Sequence, residues 1–549
     1  MKPKSEEATL TATRSRTEPP PSTWLGKIVT VGARLKREAM FFPARPALKP
    51  PLRFPVLRGA LLAASVAFAL GAGAPAPADG QPAVPGKAEN TTQMPAVSFA
   101  TNYDEPYRPQ FHFSAARGFL GDPEMMVYYA GEYHLGYLGC HTVEQKGPVH
   151  WGHAVSPDLI HWRELPVAVE PDPGDDTGVW SGGAVVDWKN TSGLQTGAER
   201  LLVAFYTRTH AGICLVSSND RGRTWTKYAA NPVLPVSVTG SWNDRDPSVF
   251  WHEPTGRWVM LLTESGLARM SFYGSADLKK WERLSSLERL IVDCPDIFEL
   301  PVDGDPRRRK WVLWASFFSP NTGRYMIGNF DGTRFIREDE IRRMDWGRNN
   351  FAARAWREAP NGRTVQIAFL NGQEGRLPDM PFGHQMSIPC ELSLKKFPDG
   401  LRLCSWPVRE FESLRTNTHA LAEVVLASNQ TQALANIPGG LADIEIEVEL
   451  QDAAEFGLRL RGEPISYNVL DRRIQMRGES GPLEPVNGRI SLRILVDRMS
   501  LEVFGNGGRL AMTSYFKPAA DKHGIEAYAL QGSVRLISVK VHEVRSIWR

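Results

Sequence analysis

From residue 111 to about residue 406, short apolar runs are separated by Gly, Asp, Asn and Pro. Runs of this length bounded by turn residues are typical of β-strands, whereas an amphipathic helix repeats its apolar residues about every 3.6 positions. Hardly any stretch of the region has that helical period. The pattern therefore predicts that this part of the chain is all β.

One phrase recurs within the region and ends each time in an aromatic residue. It reads SPDLIHW at 156–162, SNDRGRTW at 218–225, SADLKKW at 275–281 and, more weakly, NFDGTRF at 329–335. The closing aromatics Trp162, Trp225, Trp281 and Phe335 are 63, 56 and 54 residues apart, which suits one four-stranded blade with its loops. The repeat predicts a β-propeller, and because the tryptophans recur in blade after blade we expect them to pack the scaffold.

An acidic residue near a proline opens an apolar strand at three places, namely Asp122 (DPEMMVYY), Asp246 (DPSVFW) and Asp293 (DCPDIFEL). The innermost strand of each blade lines the central axis, so we predict that these acids take equivalent blade positions and meet at one end of the channel. A single Asp-Pro pair more often only begins a strand, but three in register favour a functional cluster. Asp296 ranks second to Asp293, since odd spacing along a strand turns it to the opposite face.

After about Glu412 the pattern changes to an alternation of apolar and acidic residues, as in DIEIEVEL at 443–450. A period of two predicts antiparallel strands with one solvated face. Asn506, Gly507 and Gly508 separate two strand-like runs, which is a strong hairpin signal. We therefore predict a C-terminal β-sandwich that braces the propeller, with aromatics such as Tyr467 exposed on its surface.

The 549 residues are 42% hydrophobic and 23% charged, a length and composition that favour two well-packed domains. A net charge of +3 gives no sign of a nucleic-acid partner. Residues 1–55 are rich in Pro, Arg and Lys, which predicts a disordered extension. The uncharged run at 59–74 predicts a signal peptide over 56–78 and hence export, extracellular or periplasmic, with 79–106 as a linker. The run is shorter than the ~20 residues of a spanning helix, so no stable membrane span is expected.

The cysteine and histidine residues point to no metal or cofactor. Five cysteines occur without close pairs, which matches neither a zinc motif nor a disulfide framework and predicts buried thiols. His134, His150 and His153 lack metal-ligand spacing to nearby acids, and on strands rich in aromatics we interpret them as structural. We therefore assign no metal and no cofactor from the sequence.

Six motifs stand in one order along the chain: YRPQFHFSAARGFLGDP at 107–123, HWGHAVSPDLIHW at 150–162, VWSGGAVV at 179–186, RDP at 245–247, CPDIFEL at 294–300 and LEVFGN at 501–506. In this order they resemble glycoside hydrolase family 32, which includes invertases, levanases and inulinases. The likeness extends from about residue 107 to the C-terminus. It implies a five-bladed propeller over 107–411, a β-sandwich over 412–549, and a fructan or fructose-containing oligosaccharide as the partner.

The resemblance also implies a role for each acid: Asp122 as the nucleophile, Asp246 as the transition-state stabiliser and Asp293 as the general acid/base. Retaining glycosidases need an ionised and a protonated carboxyl group about 5 Å apart. Crowding of three carboxyl groups raises at least one pKa, which keeps an acid available near neutral pH. Arg245 is expected to keep Asp246 ionised, although an Arg-Asp neighbour is more often an ordinary ion pair.

Trp180 and Ser181 are the other candidate substrate-binding residues, through an apolar face and a hydroxyl group. The alternative for this pair is a core aromatic beside a turn. Position within the VWSGG motif favours binding.

The chain departs from the family pattern around the expected pocket. Gly121 stands where the family has Asn, Glu124-Met125 where it has Asn-Gly, Leu138 where it has Gln and Lys146 where it has Trp. Asp293 replaces the family Glu, which shortens the carboxyl reach by roughly 1 Å, and proton transfer tolerates little such error.

These features favour a secreted hydrolase that cleaves β-fructofuranosyl linkages with retention of configuration. A weakened or non-catalytic carbohydrate-binding propeller stays open because of the altered pocket. A five-bladed glycosidase of other specificity, such as an arabinan-directed inverting enzyme, is disfavoured by the sandwich and the WSG motif. Transfer of fructosyl groups to another sugar also stays open, because hydrolysis and transfer differ only in whether water or an alcohol reacts with the covalent intermediate.

Overall fold

The structure is a computed structural model and describes residues 102–318, 321–377, 379–519 and 521–548. The predictions for 1–55 and 56–78, and the part of the predicted linker 79–106 that precedes residue 102, lie outside the described residues. Within the described ranges, no helix has both the length and the apolar character needed to cross a membrane.

Strands β1 to β23 build a ring of five blades, of which blades IV and V are joined into one nine-stranded sheet. Blade I contains β1 (Gly118–Tyr129), β2 (Glu132–Cys140), β3 (His150–Ser156) and β4 (Arg163–Val169). Blade II contains β5 (Trp180–Asp187), β6 (Leu201–Arg208), β7 (Gly212–Ser218) and β8 (Thr226–Lys227), with β9 (Leu234–Pro235) beside β7. A short helix α1 (Val236–Thr239) leads to blade III, which contains β10 (Asp244–His252), β11 (Arg257–Glu264), β12 (Arg269–Ser275) and β13 (Glu282–Glu288).

Blades IV and V complete the ring. Blade IV contains β14 (Val292–Val302), β15 (Asp305–Phe318), β16 (Asn321–Phe330) and β17 (Phe335–Arg337), with β18 (Arg342–Arg343) beside β16. Blade V follows with β19 (Asn350–Ala355), β20 (Val365–Leu370), the short β21 (Phe382–Gly383), β22 (Cys390–Phe397) and β23 (Gly400–Pro407). Strand β21 leaves blade V and pairs in parallel with β1, which ties the end of the ring to its beginning. The predicted five-bladed propeller is confirmed.

The remaining strands form two stacked sheets. They are β24 (Arg415–Leu421), β25 (Val424–Leu426), β26 (Thr431–Asn436), β27 (Ala442–Leu450), β28 (Glu455–Leu460), β29 (Glu463–Asn468), β30 (Arg473–Met476), β31 (Glu479–Pro482), β32 (Arg489–Val496), β33 (Ser500–Gly505), β34 (Leu510–Tyr515), β35 (Gly524–Leu530) and β36 (Val534–Val544). One sheet has the order β24-β36-β27-β32-β33-β34 with β25 beside β36, and the other has the order β26-β35-β28-β29-β30-β31. The predicted C-terminal sandwich is confirmed.

The sandwich core explains the period-two pattern seen in the sequence. Ile444, Ile446 and Val448 are buried between the sheets, whereas the intervening glutamates are partly exposed. The expectation that Tyr467 is exposed is wrong. Its ring lies in this core and its hydroxyl donates a hydrogen bond to the Leu483 carbonyl oxygen at 2.9 Å, because β29 turns odd-numbered positions inward.

The repeated aromatic phrase closes the outer hairpin of a blade. The indole N–H of Trp162, Trp225 and Trp281 donates to the carbonyl oxygen three residues earlier, at 3.1, 3.2 and 3.1 Å. In the same turns, Asp158 and Asp277 accept backbone N–H groups, as Asp side chains commonly do in turns. The tryptophans are therefore part of the scaffold, as predicted. All five cysteines are buried free thiols, also as predicted.

A β-bulge interrupts the innermost strand of every blade near its first residues. The register shifts lie between Leu120 and Pro123, Trp180 and Gly182, Arg245 and Ser248, Asp293 and Asp296, and Phe351 and Arg354. A bulge bends a strand and re-aims a side chain that would otherwise alternate across the sheet. We call the end of the propeller where these innermost strands begin the mouth.

A buried histidine joins the segment before β1 to the β32–β33 hairpin of the sandwich. The His112 ring contacts the carboxylate of Asp497 through Nδ1 at 2.8 Å and that of Glu502 through Nε2 at 2.7 Å. Burial alone would lower the pKa of His112, but Glu502 and Asp497 outweigh it and raise this pKa to about 9. The ring is thus a buried imidazolium that donates to both carboxylates.

Replacement of His112 by Gln is expected to lower the free energy of unfolding by about 3–5 kcal/mol, because it leaves two buried carboxylates without their cation. The stabilisation from this proton is fully present below the ordinary His pKa of 6.5 and is lost as the pH rises through about 9. Urea unfolding at both ends of this range measures the effect. His161→Gln, a half-exposed histidine bonded to Asp158 in a turn, is the control, and equal losses in the two variants would contradict the prediction.

Candidate active site

An open cavity of about 460 Å³ lies at the mouth of the propeller. Blades I to IV contribute its walls, and its lining includes all six residues singled out in the sequence: Asp122, Trp180, Ser181, Arg245, Asp246 and Asp293. The carboxylates expected to meet therefore open into one space. Thr177, Thr207, Thr209, Trp242 and Asn243 complete the lining.

The three acids do not occupy equivalent positions of their strands, so that prediction is wrong in detail. Asp293 is the last paired residue before its bulge, Asp246 is the first residue inside its bulge, and Asp122 is the second. The backbone of Asp246 has a positive φ of 64°, a conformation that is uncommon outside Gly and that clusters at functional sites. The three acids therefore meet at the cavity because of the bulges. The Asp-Pro pairs in the sequence give no sign of a bulge.

Asp122 is held from two sides. The Ser181 hydroxyl donates to its Oδ2 at 3.0 Å, and the Cys294 thiol donates to the same oxygen at 3.4 Å. Burial and the neighbouring charge of Asp246 raise the pKa of Asp122 to about 6. This carboxyl is ionised above that pH and stays oriented by two neutral donors.

Asp246 is buried and fixed through its backbone and its side chain. Its N–H donates to Thr207 Oγ1 at 3.1 Å, while its Oδ2 accepts the Cys294 N–H at 2.9 Å. Burial raises the pKa of the Cys294 thiol well above its usual range, so the sulfur remains an S–H donor. Cys294 therefore contacts two of the three acids, a role that sequence reasoning missed although the residue adjoins Asp293.

Arg245 pairs with both acids, and more closely with Asp293 than with Asp246. Its guanidinium lies 2.5 Å from Asp293 Oδ1 and 3.6 Å from Asp246 Oδ2. Burial and the Asp246 charge raise the pKa of Asp293 to about 7, against the opposing effect of Arg245. Burial therefore affects the pKa of Asp293 more than the ion pair with Arg245 does.

Trp180 and Trp242 place two indoles at the cavity. Trp180 is partly exposed and its N–H donates to the Thr177 carbonyl oxygen at 2.5 Å. Trp242 is 55% exposed and stacks on His210 with ring centroids 5.4 Å apart. Because it lines the open cavity and belongs to no blade core, it is a further candidate binding residue that the sequence pattern did not single out.

Asp296 lies outside the cavity lining, as its spacing predicted. It is buried, it accepts the Ser248 hydroxyl at 2.8 Å and the Ala355 N–H at 2.9 Å, and it pairs with Arg357. These partners use both carboxylate oxygens. Asp296 therefore crosslinks blades III, IV and V in the channel below the mouth.

Glu124 and Arg354 are two buried charged residues just below the acids. Glu124 Oε2 accepts the Gly182 N–H at 2.5 Å, and burial raises the pKa of Glu124 well above its usual range, with Arg354 opposing the shift. Burial thus favours the neutral form of this carboxyl group, which lies two residues after Asp122. Neither residue was assigned a role from the sequence.

The other departures from the family pattern have visible packing consequences. A Cβ at Gly121 would lie 2.8 Å from the Phe119 ring and 3.2 Å from Leu138, so the ring fills the space of a side chain there. Leu138 packs in the core between blades I and II, and Lys146 is exposed. His134 and His153 contact each other at 3.0 Å within the blade, which fits their structural interpretation.

A five-bladed propeller that gathers carboxyl groups of raised pKa beside exposed indoles at one open mouth defines the class of the protein as a carbohydrate-cleaving enzyme. The chain matches the model of the glycosyl hydrolases family 32 N-terminal domain over residues 112–407 and that of the family 32 C-terminal domain over 410–543. The chain therefore belongs to glycoside hydrolase family 32, whose members act on O-glycosyl bonds.

Individual relatives agree with the family models. The chain is 40% identical over 490 residues to a levanase of Bacillus subtilis (strain 168), which covers 81% of this chain and 72% of that protein. It is 29% identical over 532 residues to an extracellular exo-inulinase of Aspergillus ficuum, with 84% and 99% covered. The crystal structure of an exo-inulinase from Aspergillus awamori matches with a TM-score of 0.74 at 27% identity, over 82% of this chain and 100% of that one.

Proposed function

We propose that the protein is an exported β-fructofuranosidase that hydrolyses levan-, inulin- or sucrose-type linkages with retention of configuration. The observation that carries the proposal is the single cavity lined by Asp122, Asp246 and Asp293. The levanase and exo-inulinase names of the relatives support the fructosyl substrate. The extracellular relative and the apolar run at 59–74 support export.

The mechanism follows from the protonation states of two carboxyl groups. Ionised Asp122 attacks the anomeric carbon of the fructosyl unit, while protonated Asp293 gives its proton to the leaving glycosidic oxygen. This step forms the ester between Asp122 and the sugar and breaks the glycosidic bond. Asp293, now ionised, takes a proton from water, whose oxygen then attacks the anomeric carbon and releases Asp122. Asp246 binds sugar hydroxyls and stabilises the positive charge of the transition state.

Product analysis tests this function. Sucrose, inulin, levan and arabinan are incubated with the purified protein, and the anomer of the first released sugar is followed by NMR before mutarotation. We expect fructose from at least one of the three fructosyl substrates, released first as the β-anomer, and nothing from arabinan. Release of arabinose, or fructose that appears first as the α-anomer, would contradict the proposal.

One contact favours a weakened or non-catalytic sugar-binding propeller instead. Arg245 pairs with Asp293, and an arginine stabilises the ionised form of a carboxyl group, so that fewer molecules carry the proton that a general acid must donate. Binding of fructan without any released sugar would support this alternative. The raised pKa of Asp293 favours the enzyme, because burial overcomes the arginine.

The pH dependence of kcat/KM is expected to be bell-shaped with a narrow maximum. Activity rises with pH as Asp122 ionises near pKa 6 and falls as Asp293 loses its proton near pKa 7. Because the two carboxyl groups interact, the two limbs belong to the pair rather than to single residues. The profile is measured from initial rates on the fructan that is hydrolysed fastest, from well below the pKa of Asp122 to well above that of Asp293. Full activity well above the pKa of Asp293 would exclude it as the proton donor.

A further inference from the structure

Two histidines and a glutamate lie together at the mouth end of blade I, outside the cavity. His141 directly follows β2, His150 begins β3 and Glu170 directly follows β4. One side-chain ligand atom from each lies within 4.8 Å of the other two. The antiparallel order of the blade brings them together, since β2 and β4 end where β3 begins. This grouping differs from the sequence interpretation, which treated His150 as structural.

We propose that His141, His150 and Glu170 form a binding site for a first-row divalent metal ion, with Zn²⁺ as the best fit. Two imidazoles and one carboxylate are a donor set that zinc prefers, with bonds of about 2.0–2.2 Å. Tetrahedral ligands at that distance are about 3.3 Å apart. In the structure the ligand atoms lie up to 4.8 Å from one another. Rotation of the exposed His141 and Glu170 side chains about their own bonds brings them to the shorter separation.

His150 is the fixed ligand of the site. It is 7% exposed, and its ring occupies space that a Cβ at Gly139 would enter at 2.6 Å. Within the part of the chain that the structure describes, none of the three side chains has a hydrogen-bond or ion-pair partner. The ring nitrogens of His150 therefore have no partner in the described part of the fold that would compete with a metal ion.

The site is connected to the wall of the active-site cavity through two loops. Residues 141–149 join β2 to β3, and residues 170–179 join β4 to β5. The Val179 N–H donates to the Val149 carbonyl oxygen at 2.8 Å, and Thr177 and Trp180 line the cavity. A metal ion held by one residue from each loop and by the first residue of β3 therefore clamps this wall.

Zinc titration tests the site in the tag-free full chain after treatment with a chelator. Isothermal calorimetry with Zn²⁺ alone is expected to give one ion per chain, and His141→Ala and Glu170→Gln are expected to weaken binding at least tenfold, since even outer-shell partners of zinc are worth roughly 10–100-fold. The matched controls are His161→Ala, at the other end of the blade, and Glu144→Gln, on the exposed loop beside His141. Neither control is expected to change the affinity.

Hydrogen exchange separates this site from zinc bound by the catalytic carboxylates. With one equivalent of Zn²⁺, exchange is expected to slow within 141–149 and 170–179 in the wild-type protein and in both controls, but not in His141→Ala. Bound Co²⁺ is expected to show the visible absorption of a tetrahedral ion. The proposal is overturned if no ion binds, if His141→Ala and Glu170→Gln bind as the wild type does, or if the protection appears elsewhere.

Discussion

Asp122→Asn is expected to abolish turnover of the best fructosyl substrate, with a fall in kcat on the order of 10⁴- to 10⁶-fold. Amide nitrogen and oxygen cannot form the ester intermediate, and loss of a nucleophile that acts together with an acid/base costs factors of this size. The change preserves shape and both hydrogen-bond donors, Ser181 and Cys294. Substrate affinity is therefore expected to change far less than kcat.

Asp471→Asn is the control, since this aspartate is exposed on the sandwich and far in sequence from the cavity. It is expected to have wild-type kcat and KM. If Asp122→Asn kept more than a few per cent of the wild-type turnover, the nucleophile assignment would be wrong. If the wild type bound fructan but released no sugar, the non-catalytic alternative would replace the enzyme.

Asp293→Ala is expected to lower kcat/KM on unactivated fructans by about 10²- to 10⁴-fold, the usual contribution of a general acid. A fructoside whose leaving group needs no proton should form the covalent intermediate at a nearly normal rate. Hydrolysis of that intermediate still lacks its base, so added azide, which attacks without deprotonation, is expected to restore turnover and to give the β-fructosyl azide. The alkaline limb of the pH profile should also disappear.

Asp293→Glu is the informative partner of this variant. It keeps a carboxyl group and adds the methylene that the family pattern has at this position, so it is expected to be much more active than Asp293→Ala on unactivated fructan. A Glu variant as inactive as the Ala variant would show that the backbone here suits only the shorter side chain. Equal losses on activated and unactivated substrates, without azide rescue, would remove Asp293 from the acid/base role.

The strands and the class of fold follow from local features of the sequence. Short apolar runs between turn residues, the spacing of Trp162, Trp225 and Trp281, and the alternation at 443–450 each reflect contacts made within one blade or one sheet. Strand periodicity and turn chemistry act over a few residues, so they can be recognised without coordinates. The three acids were found for the same reason, because each stands just before an apolar run and near a proline.

The arrangement of the site was decided by tertiary structure. Asp122, Asp246 and Asp293 take three successive places around bulges rather than one shared place, and a bulge depends on how a strand pairs with its neighbour. Arg245 pairs most closely with Asp293, and Cys294 donates hydrogen bonds to both Asp122 and Asp246.

Residues far apart along the chain also lie close together in the fold, and no local pattern of the sequence indicates this. Trp242 came to the cavity from the loop before β10, and His141, His150 and Glu170 gathered from three strand ends. The physical reason is that neighbours distant in sequence determine how a side chain is oriented and how deeply it is buried. Orientation and burial in turn determine its pKa. The sequence by itself therefore determined the strands, the repeat and the identity of the acids, while only the folded ring decided which groups touch.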